Sequence, residues 1–238
     1  VKKIAIIQSN YIPWKGYFDI IASVDEFVLY DDAQYTRRDW RNRNLVKTPQ
    51  GVQWITIPVE AKGKRDSLIC EMRVDGDDWR RAHWESFRHL YGKSQFFREY
   101  AGIFEKLYLG SEETYLSKIN FDFISAICQI LGIGTPVTWS MDYKAHGTKT
   151  ERLVNLCKAA GAKSYLSGPA ARDYIEIELF EDAGIKLEYV DYDGYPEYPQ
   201  MYGEFEHGVS VLDLIFNTGP NAPQFMKFMK AEKSPSTF

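Results

Sequence analysis

The residues best suited to chemistry stand in three short stretches, each placed where the chain would leave a strand. The first is Gln8-Ser9-Asn10-Tyr11-Ile12-Pro13-Trp14-Lys15-Gly16-Tyr17, with amides, a hydroxyl and aromatic rings between an apolar run and a helical pattern. Amides can orient a carbonyl, rings can stack on rings, and the free N–H groups of a helix start attract anions. A capping and packing loop, with Trp14 and Tyr17 in the core, is the plainer alternative. The second stretch opens on Asp31-Asp32-Ala33-Gln34 and runs into Arg37, Arg38, Arg41 and Arg43, with Trp40 and Asn42 between them. An acidic pair at a strand end can bind Mg²⁺ or take the proton of an attacking amine. Arginines at this density suit bidentate recognition of phosphate or carboxylate, and they also suit a solvated charged hairpin. The third is Ser167-Gly168-Pro169, continuing to Arg172. Gly168 permits close backbone approach and Pro169 can begin a helix, as in an ordinary strand-to-helix turn.

Those stretches need a scaffold that brings strand ends together. Ile4-Ala5-Ile6-Ile7 is a short continuous apolar run, as expected of a buried parallel strand. A helical pattern over 16–24 and a second apolar run over 26–30 complete a βαβ opening with a right-handed crossover. Runs at 44–47 and 52–59 flank Thr48-Pro49-Gln50-Gly51 and predict an inserted hairpin, followed by a strand over 67–74. Periodicity then predicts three helices, 77–91, 95–108 and 112–131, the last apolar nearly all round and therefore buried. Strands at 136–140, 163–166 and 186–192 alternate with helices at 150–160 and 177–183. An aromatic loop over 195–205, a helix over 210–216 and a polar, frayed end at 230–238 close the chain. The expectation is an α/β, Rossmann-like parallel sheet in a single domain, 1–238, with a β-hairpin insert and a helical insert at about 77–132. In such open sheets, ligands bind beyond the carboxyl ends of the strands, where all three stretches fall.

Composition narrows the function classes. A net charge of −4 argues against nucleic acid and for a small phosphate-bearing ligand, and an aromatic share of 15% leans towards ring binding. Cys70, Cys128 and Cys157 have neither zinc nor disulfide spacing, which suits a reducing, cytoplasmic compartment, and no run is long enough to span a membrane. The chain has no P-loop, G-x-G-x-x-G, H-x-x-x-H or G-x-S-x-G sequence, which removes the easy enzyme classes, and no metal site is expected. His83 shares a helix face with Trp79 and Phe87 and reads as a satisfied core histidine. His89 and His146 have no visible ligand partners. Thr148 with Glu151, and Ser210 with Asp213, fit capping boxes, and Cys157 reads as an inert core thiol.

The wording and order of five blocks resemble the WbqC-like family: IIQSNYIPWKGYFD at 6–19, FVLYDDAQ at 27–34, WRNRNLVK at 40–47, TERLVNLCKAAGAKSYLSGPAARDY at 150–174 and HGVSVLDLIFNTG at 207–219. The resemblance implies a role near surface-polysaccharide (O-antigen) synthesis, with an aminoacyl or glycyl transferase activity sometimes suggested. It marks Gln8, Asn10, Pro13, Trp14 and Gly16, then Asp31, Asp32, Gln34, Arg41, Asn42 and Arg43, then Ser167, Gly168 and Pro169. In the last block it marks His207, Ser210, Asp213 and Asn217, which weakens a pure capping role for Ser210 and Asp213. Ser9 departs from the pattern, where proline is expected. Trp14-Lys15-Gly16-Tyr17 is also distantly similar in spacing to the H-x-G-H signature of HIGH-type nucleotidyltransferases, but both histidines are replaced, and indole cannot take over their phosphate contacts.

The expected function is a transferase that acylates an amino sugar or nucleotide-linked sugar. In it Asp31 or Asp32 serves as base, Gln8 and Asn10 orient the carbonyl, and Trp14, Tyr17 and the arginines hold the substrate. Alternatives are Mg-ATP-dependent nucleotidyl or adenylyl transfer, and a non-catalytic nucleotide-sugar-binding protein.

Overall fold

The computed structural model describes residues 1–63 and 66–228, so the expectation for 230–238 lies outside the described residues. The apolar run at the start forms β1 (Lys3–Ile7), followed by α1 (Lys15–Ala22) and β2 (Glu26–Leu29). After the hairpin β3 (Arg43–Thr48) and β4 (Gly51–Thr56) come α2 (Asp78–Tyr91), α3 (Phe97–Leu109) and α4 (Leu116–Leu131). Then β5 (Val137–Trp139), α5 (Lys149–Ala159), β6 (Ser164–Ser167), α6 (Ile177–Asp182), β7 (Lys186–Tyr189) and α7 (Val211–Thr218) complete the described elements.

Five strands pair in parallel in the order β5-β2-β1-β6-β7, and β3 pairs with β4 in a separate antiparallel hairpin. The fold is α/β and Rossmann-like. Because side chains alternate along a strand, β1 and β2 divide their residues between two cores. Ala5, Phe27 and Leu29 join the helical block and α7 on one face, while Ile4, Ile6 and Val28 meet α5 and α6 on the other. The sheet reverses direction between β1 and β6: the chain leaves β1 towards β2 and leaves β6 towards β7. A crevice opens at the carboxyl ends of those two strands, and that is where ligands settle in such folds.

The helical stretch at 77–132 forms α2, α3 and α4 and shares its core with the sheet, through Trp84, Phe87, Tyr108 and Phe123. On α4 only a narrow stripe, including Lys118, Asp122 and Gln129, reaches solvent, as its nearly uniform apolar pattern required. Among the described residues no helix is long and apolar enough to cross a membrane.

Three expectations about local structure need correction. Residues 67–74 do not form a strand: they make single bridges to three different neighbours, Gln34 with Leu68, Val59 with Val74 and Arg73 with Tyr115, around a 3₁₀ turn at Ile69–Glu71. Ile69, Met72 and Val74 are buried there as turn residues, so their apolar content gave a strand-like signal without a ladder partner. Neither capping box closes as predicted. Thr148 makes no side-chain cap, and Ser210 alone caps α7, accepting from the Leu212 N–H at 3.3 Å. The last strand also stops at Tyr189, which frees Tyr192 to turn towards the crevice.

Candidate functional site

The loop from Gln8 to Trp14 crosses the top of the crevice, and its backbone is fixed from several sides. The Tyr11 N–H donates to the Trp40 carbonyl at 3.0 Å, which ties the first stretch to the second. Ile12 sits at φ 38, a left-handed conformation that a β-branched residue adopts only at a cost. Asn44 holds it there, its Nδ2 donating to the carbonyls of Tyr11 and Ile12 at 3.0 Å each. The Val211 N–H donates to the Pro13 carbonyl at 3.0 Å, so α7 clamps the same loop from behind.

Gly16 explains the posture of Trp14. A Cβ at that position would lie 2.2 Å from Trp14 Cζ2, so the indole rests directly on the glycine backbone. Trp14 then meets Tyr192 edge-on at 5.0 Å and Tyr195 at 5.4 Å. Lys15, next in sequence, is buried: its Nζ donates to the Pro196 carbonyl at 2.8 Å and lies 5.1 Å from the Tyr195 and Tyr198 rings. Burial pulls its pKa down to about 8. It pins the aromatic loop against the start of α1.

Between β1 and β6 lies a cavity of about 390 Å³. Gln8, Asn10 and Trp14 line it from the first loop, and Ser167 and Gly168 from the end of β6. Arg41 and Lys149 are the charged residues on its wall, no carboxylate lines it among the described residues, and Tyr17, Tyr30, Tyr174 and Tyr192 supply rings. Arg41 is largely enclosed, with Nη1 donating to Asn10 Oδ1 at 2.6 Å and Nη2 3.5 Å from Asp39, and its buried Nε has no partner among the described residues. Gly168 has an ordinary φ of −70, and a Cβ there would meet only Tyr192 Oη at 3.9 Å. Neither backbone nor packing demands glycine there, so a side chain at 168 would alter the cavity itself.

Several candidates prove to be framework. Asp31 is fully buried: one carboxylate oxygen accepts the Ser9 N–H at 2.8 Å and the other accepts the Ser117 hydroxyl. Burial raises its pKa, but it faces the protein interior and lines neither cavity of this region. Asp32 accepts from Ser140 at 2.6 Å and pairs with Arg152, which ties β2 to α5. The acidic pair therefore belongs to the joints behind the crevice, because the strand end turns both carboxylates towards donors from α4 and α5. Tyr17 combines roles: it touches the cavity, but it is buried against Phe27 and its hydroxyl donates to the Gln8 carbonyl at 3.0 Å.

Asn42 donates to the Ile57 carbonyl at 2.7 Å, and Gln34 bridges to Leu68 at the surface. Arg43 lies over the Trp54 ring at 3.9 Å and Arg172 over Tyr189 at 4.2 Å. Pro169 starts the 3₁₀ turn after Gly168. In the last block Asp213 is buried and accepts from Tyr91 at 3.0 Å, Asn217 donates to the Asp213 carbonyl at 2.8 Å, and Ser210 caps α7. None of these lines the cavity. Of the arginine cluster, only Arg41 reaches it.

His207 takes a different position. It lines a second pocket of about 290 Å³ that shares Asn10 and Trp14 with the main cavity and includes Trp40 and Asn44. His83 is a core histidine. Its Nε2 lies 3.1 Å from the Thr56 carbonyl, which can only accept, so Nε2 carries the proton and Nδ1 accepts from the Tyr11 hydroxyl at 2.9 Å. Burial lowers its pKa to about 4.

Lys149 and Tyr192 line the cavity, and the sequence patterns did not single them out. Lys149 opens α5 at φ 48, directly after Gly147-Thr148 and close behind β5. The available signal was positional, a strand-to-helix connection, but the capping pattern of Thr148 and Glu151 masked it. Tyr192 looked like the last residue of a strand. Among the described residues no group of three or more His, Cys, Asp or Glu side chains is arranged to hold a metal ion.

No solved structure matches this chain. An uncharacterized Mycobacterium tuberculosis (strain ATCC 25618 / H37Rv) protein, Rv1507c, is 50% identical over 230 residues, covering 97% of this chain and 100% of that relative. The WbqC-like protein family model matches residues 8–225, from the first loop through the end of the last helical block, and the chain belongs to that family.

Proposed function

We propose that the protein is a transferase that acts on a phosphate-bearing, nucleotide-linked amino sugar in surface-polysaccharide synthesis and acylates its amine. One observation carries the reading: the cavity at the reversal point of the sheet combines Arg41 and Lys149 with several aromatic rings and, among the described residues, has no carboxylate on its wall. Such a wall favours an anion joined to a ring system, the chemistry of a nucleotide. Gln8 and Asn10 then orient the polar groups of the substrate, and Ser167 and Gly168 leave room for close approach by its phosphates. Family membership supports the surface-polysaccharide setting. The aspartates at 31 and 32 enter as supports of the loops and not as the base.

The test is a thermal-shift screen of nucleotides and nucleotide sugars, followed by mass spectrometry of nucleotide-linked amino sugars incubated with activated acyl donors. A ligand at a hundred times its Kd stabilises by about 2.7 kcal/mol, which such a screen detects readily. A nucleotide sugar that raises the melting temperature and gains an acyl mass is the expected result. Absence of any nucleotide effect would sink the reading, and stabilisation by Mg-ATP with pyrophosphate release would replace it with adenylyl transfer.

A further inference from the structure

The second pocket has a chemical character opposite to that of the main cavity. Among the described residues no charged side chain lines it, and its wall is made by Trp14 and Trp40 together with Asn10, Asn44 and His207. Asn44 is fully engaged, donating to two carbonyls of the first loop and accepting from the Leu45 N–H at 2.8 Å. Asn10 and His207 keep capacity: among the described residues Asn10 is bonded through Oδ1 alone, to Arg41, and the buried Nδ1 of His207 has no partner. Burial and the nearby Lys15 ammonium lower the pKa of His207, which keeps the ring neutral near pH 7.

Trp40 stands at the mouth of this pocket. Its side is 40% exposed, an unusual position for so large an apolar ring, yet it is held firmly. The Trp40 N–H donates to Asp39 at 2.7 Å, its carbonyl accepts from Tyr11, and its indole leans on Trp54 at 5.1 Å. The contact with Trp54 alone would be ordinary hairpin packing. A rigid, exposed indole beside a pocket with two unfilled polar groups is a platform for a ring with one apolar face and hydroxyls at its edge.

We propose that this second pocket is the glycosyl subsite: it takes the sugar ring of the nucleotide-linked substrate, stacked on Trp40 and hydrogen-bonded at its edge by Asn10 and His207. The assignment rests on the function proposed above, in which the phosphates and nucleoside occupy the main cavity. Asn10 and Trp14 belong to both chambers, so a single ligand passes from one into the other across their shared wall.

The experiment is isothermal titration of the full chain with matched pairs: UDP and UDP-N-acetylglucosamine, GDP and GDP-mannose, dTDP and dTDP-glucose. For the pair whose nucleotide binds, the sugar-bearing member is expected to bind about tenfold more tightly, since a stacked ring adds on the order of that factor. Trp40→Ala and His207→Ala are each expected to erase that advantage and leave the affinity for the bare nucleoside diphosphate unchanged. Equal affinities within every pair in the wild-type chain would overturn the subsite while leaving the main cavity as the nucleotide site. Variants that weaken both members of a pair equally would overturn it too. If no nucleotide binds at all, the function proposed above and this subsite fall together. Trp40→Ala removes an exposed ring, and an unchanged melting temperature without ligand checks that the fold is intact.

Discussion

The polar residues around β1 fall into two regions that the fold treats in opposite ways. In the crevice, Arg41, Asn10, Lys149 and His207 face cavities with hydrogen-bonding capacity left over. Directly behind it, Asp31, Ser9, Ser117 and Asn120 form a buried layer, and Tyr11, His83 and Tyr108 form another, in which donors and acceptors are largely matched by protein partners. Asp31 illustrates the second kind, with one carboxylate oxygen accepting the Ser9 N–H at 2.8 Å and the other the Ser117 hydroxyl. Asn120 donates through Nδ2 to Ser9 Oγ at 3.0 Å and to the Arg41 carbonyl at 2.9 Å, and leaves its buried Oδ1 without a partner among the described residues. A polar side chain whose capacity is consumed inside the protein fixes geometry, and one whose capacity is not consumed is free to meet a ligand. The chemical type of the residue does not decide which role it has. The carboxylates, the most reactive-looking groups in the sequence, belong to the framework.

This division can be broken experimentally, and the largest effect should come from the framework. Asp31→Ala leaves the Ser9 N–H and the Ser117 hydroxyl buried without a partner, and we expect a loss of roughly 3 kcal/mol or more in chemical denaturation. A variant that kept full stability but lost turnover would instead make Asp31 a catalytic group and dissolve the distinction.

The histidine of the second layer gives a pH signature. Its folded pKa of about 4 lies below the ordinary 6.5, so the unfolded chain takes up the proton first as pH falls. The stability is fully present above about pH 6.5 and is lost progressively down to about pH 4, amounting to roughly 3 kcal/mol. Denaturation midpoints measured between pH 7.5 and 4 should show that slope, and His83→Gln should remove it.

Effects in the crevice should appear in binding more than in folding. Arg41→Ala is expected to weaken a phosphate-bearing ligand by about 2 kcal/mol, some thirtyfold, in titration calorimetry. Gly16→Ala, which pushes the Trp14 indole off its seat, should cost about 1 to 2 kcal/mol of stability and change the tryptophan emission. The smallest effect is expected for Arg172→Ala. Its guanidinium lies over Tyr189 outside the cavity, and its loss should move stability by less than about 0.5 kcal/mol and leave ligand affinity unaltered. A large binding loss there would extend the crevice beyond the walls drawn above.

The fold was largely legible because burial and periodicity are local properties. Ile4 to Ile7 has to be a buried strand, the turn at Pro49 and Gly51 has to reverse the chain, and α4 is too apolar to sit outside. Residues 67–74 misled for the same reason: apolar composition shows that a segment is buried, but a ladder also needs a neighbour in register, and this segment finds only isolated bridges. The candidate cavity was legible at the level of loops. Gln8, Asn10, Trp14, Arg41, Ser167 and Gly168 line the main cavity because strand ends in a parallel sheet converge on one edge.

Sequence alone therefore determined that these loops stand at the carboxyl ends of parallel strands. Alternating apolar runs and helices mark the strands, and the crossovers between them put those ends on one edge, whereas the strand order came from the tertiary structure. Tertiary structure alone decided which side chains of those loops point into the crevice. That choice depends on donors arriving from distant elements, Ser117 from α4 for Asp31 and Arg152 from α5 for Asp32, and no local spacing encodes them. The aspartates withdrew for that reason: where they face is settled by the partners that satisfy them.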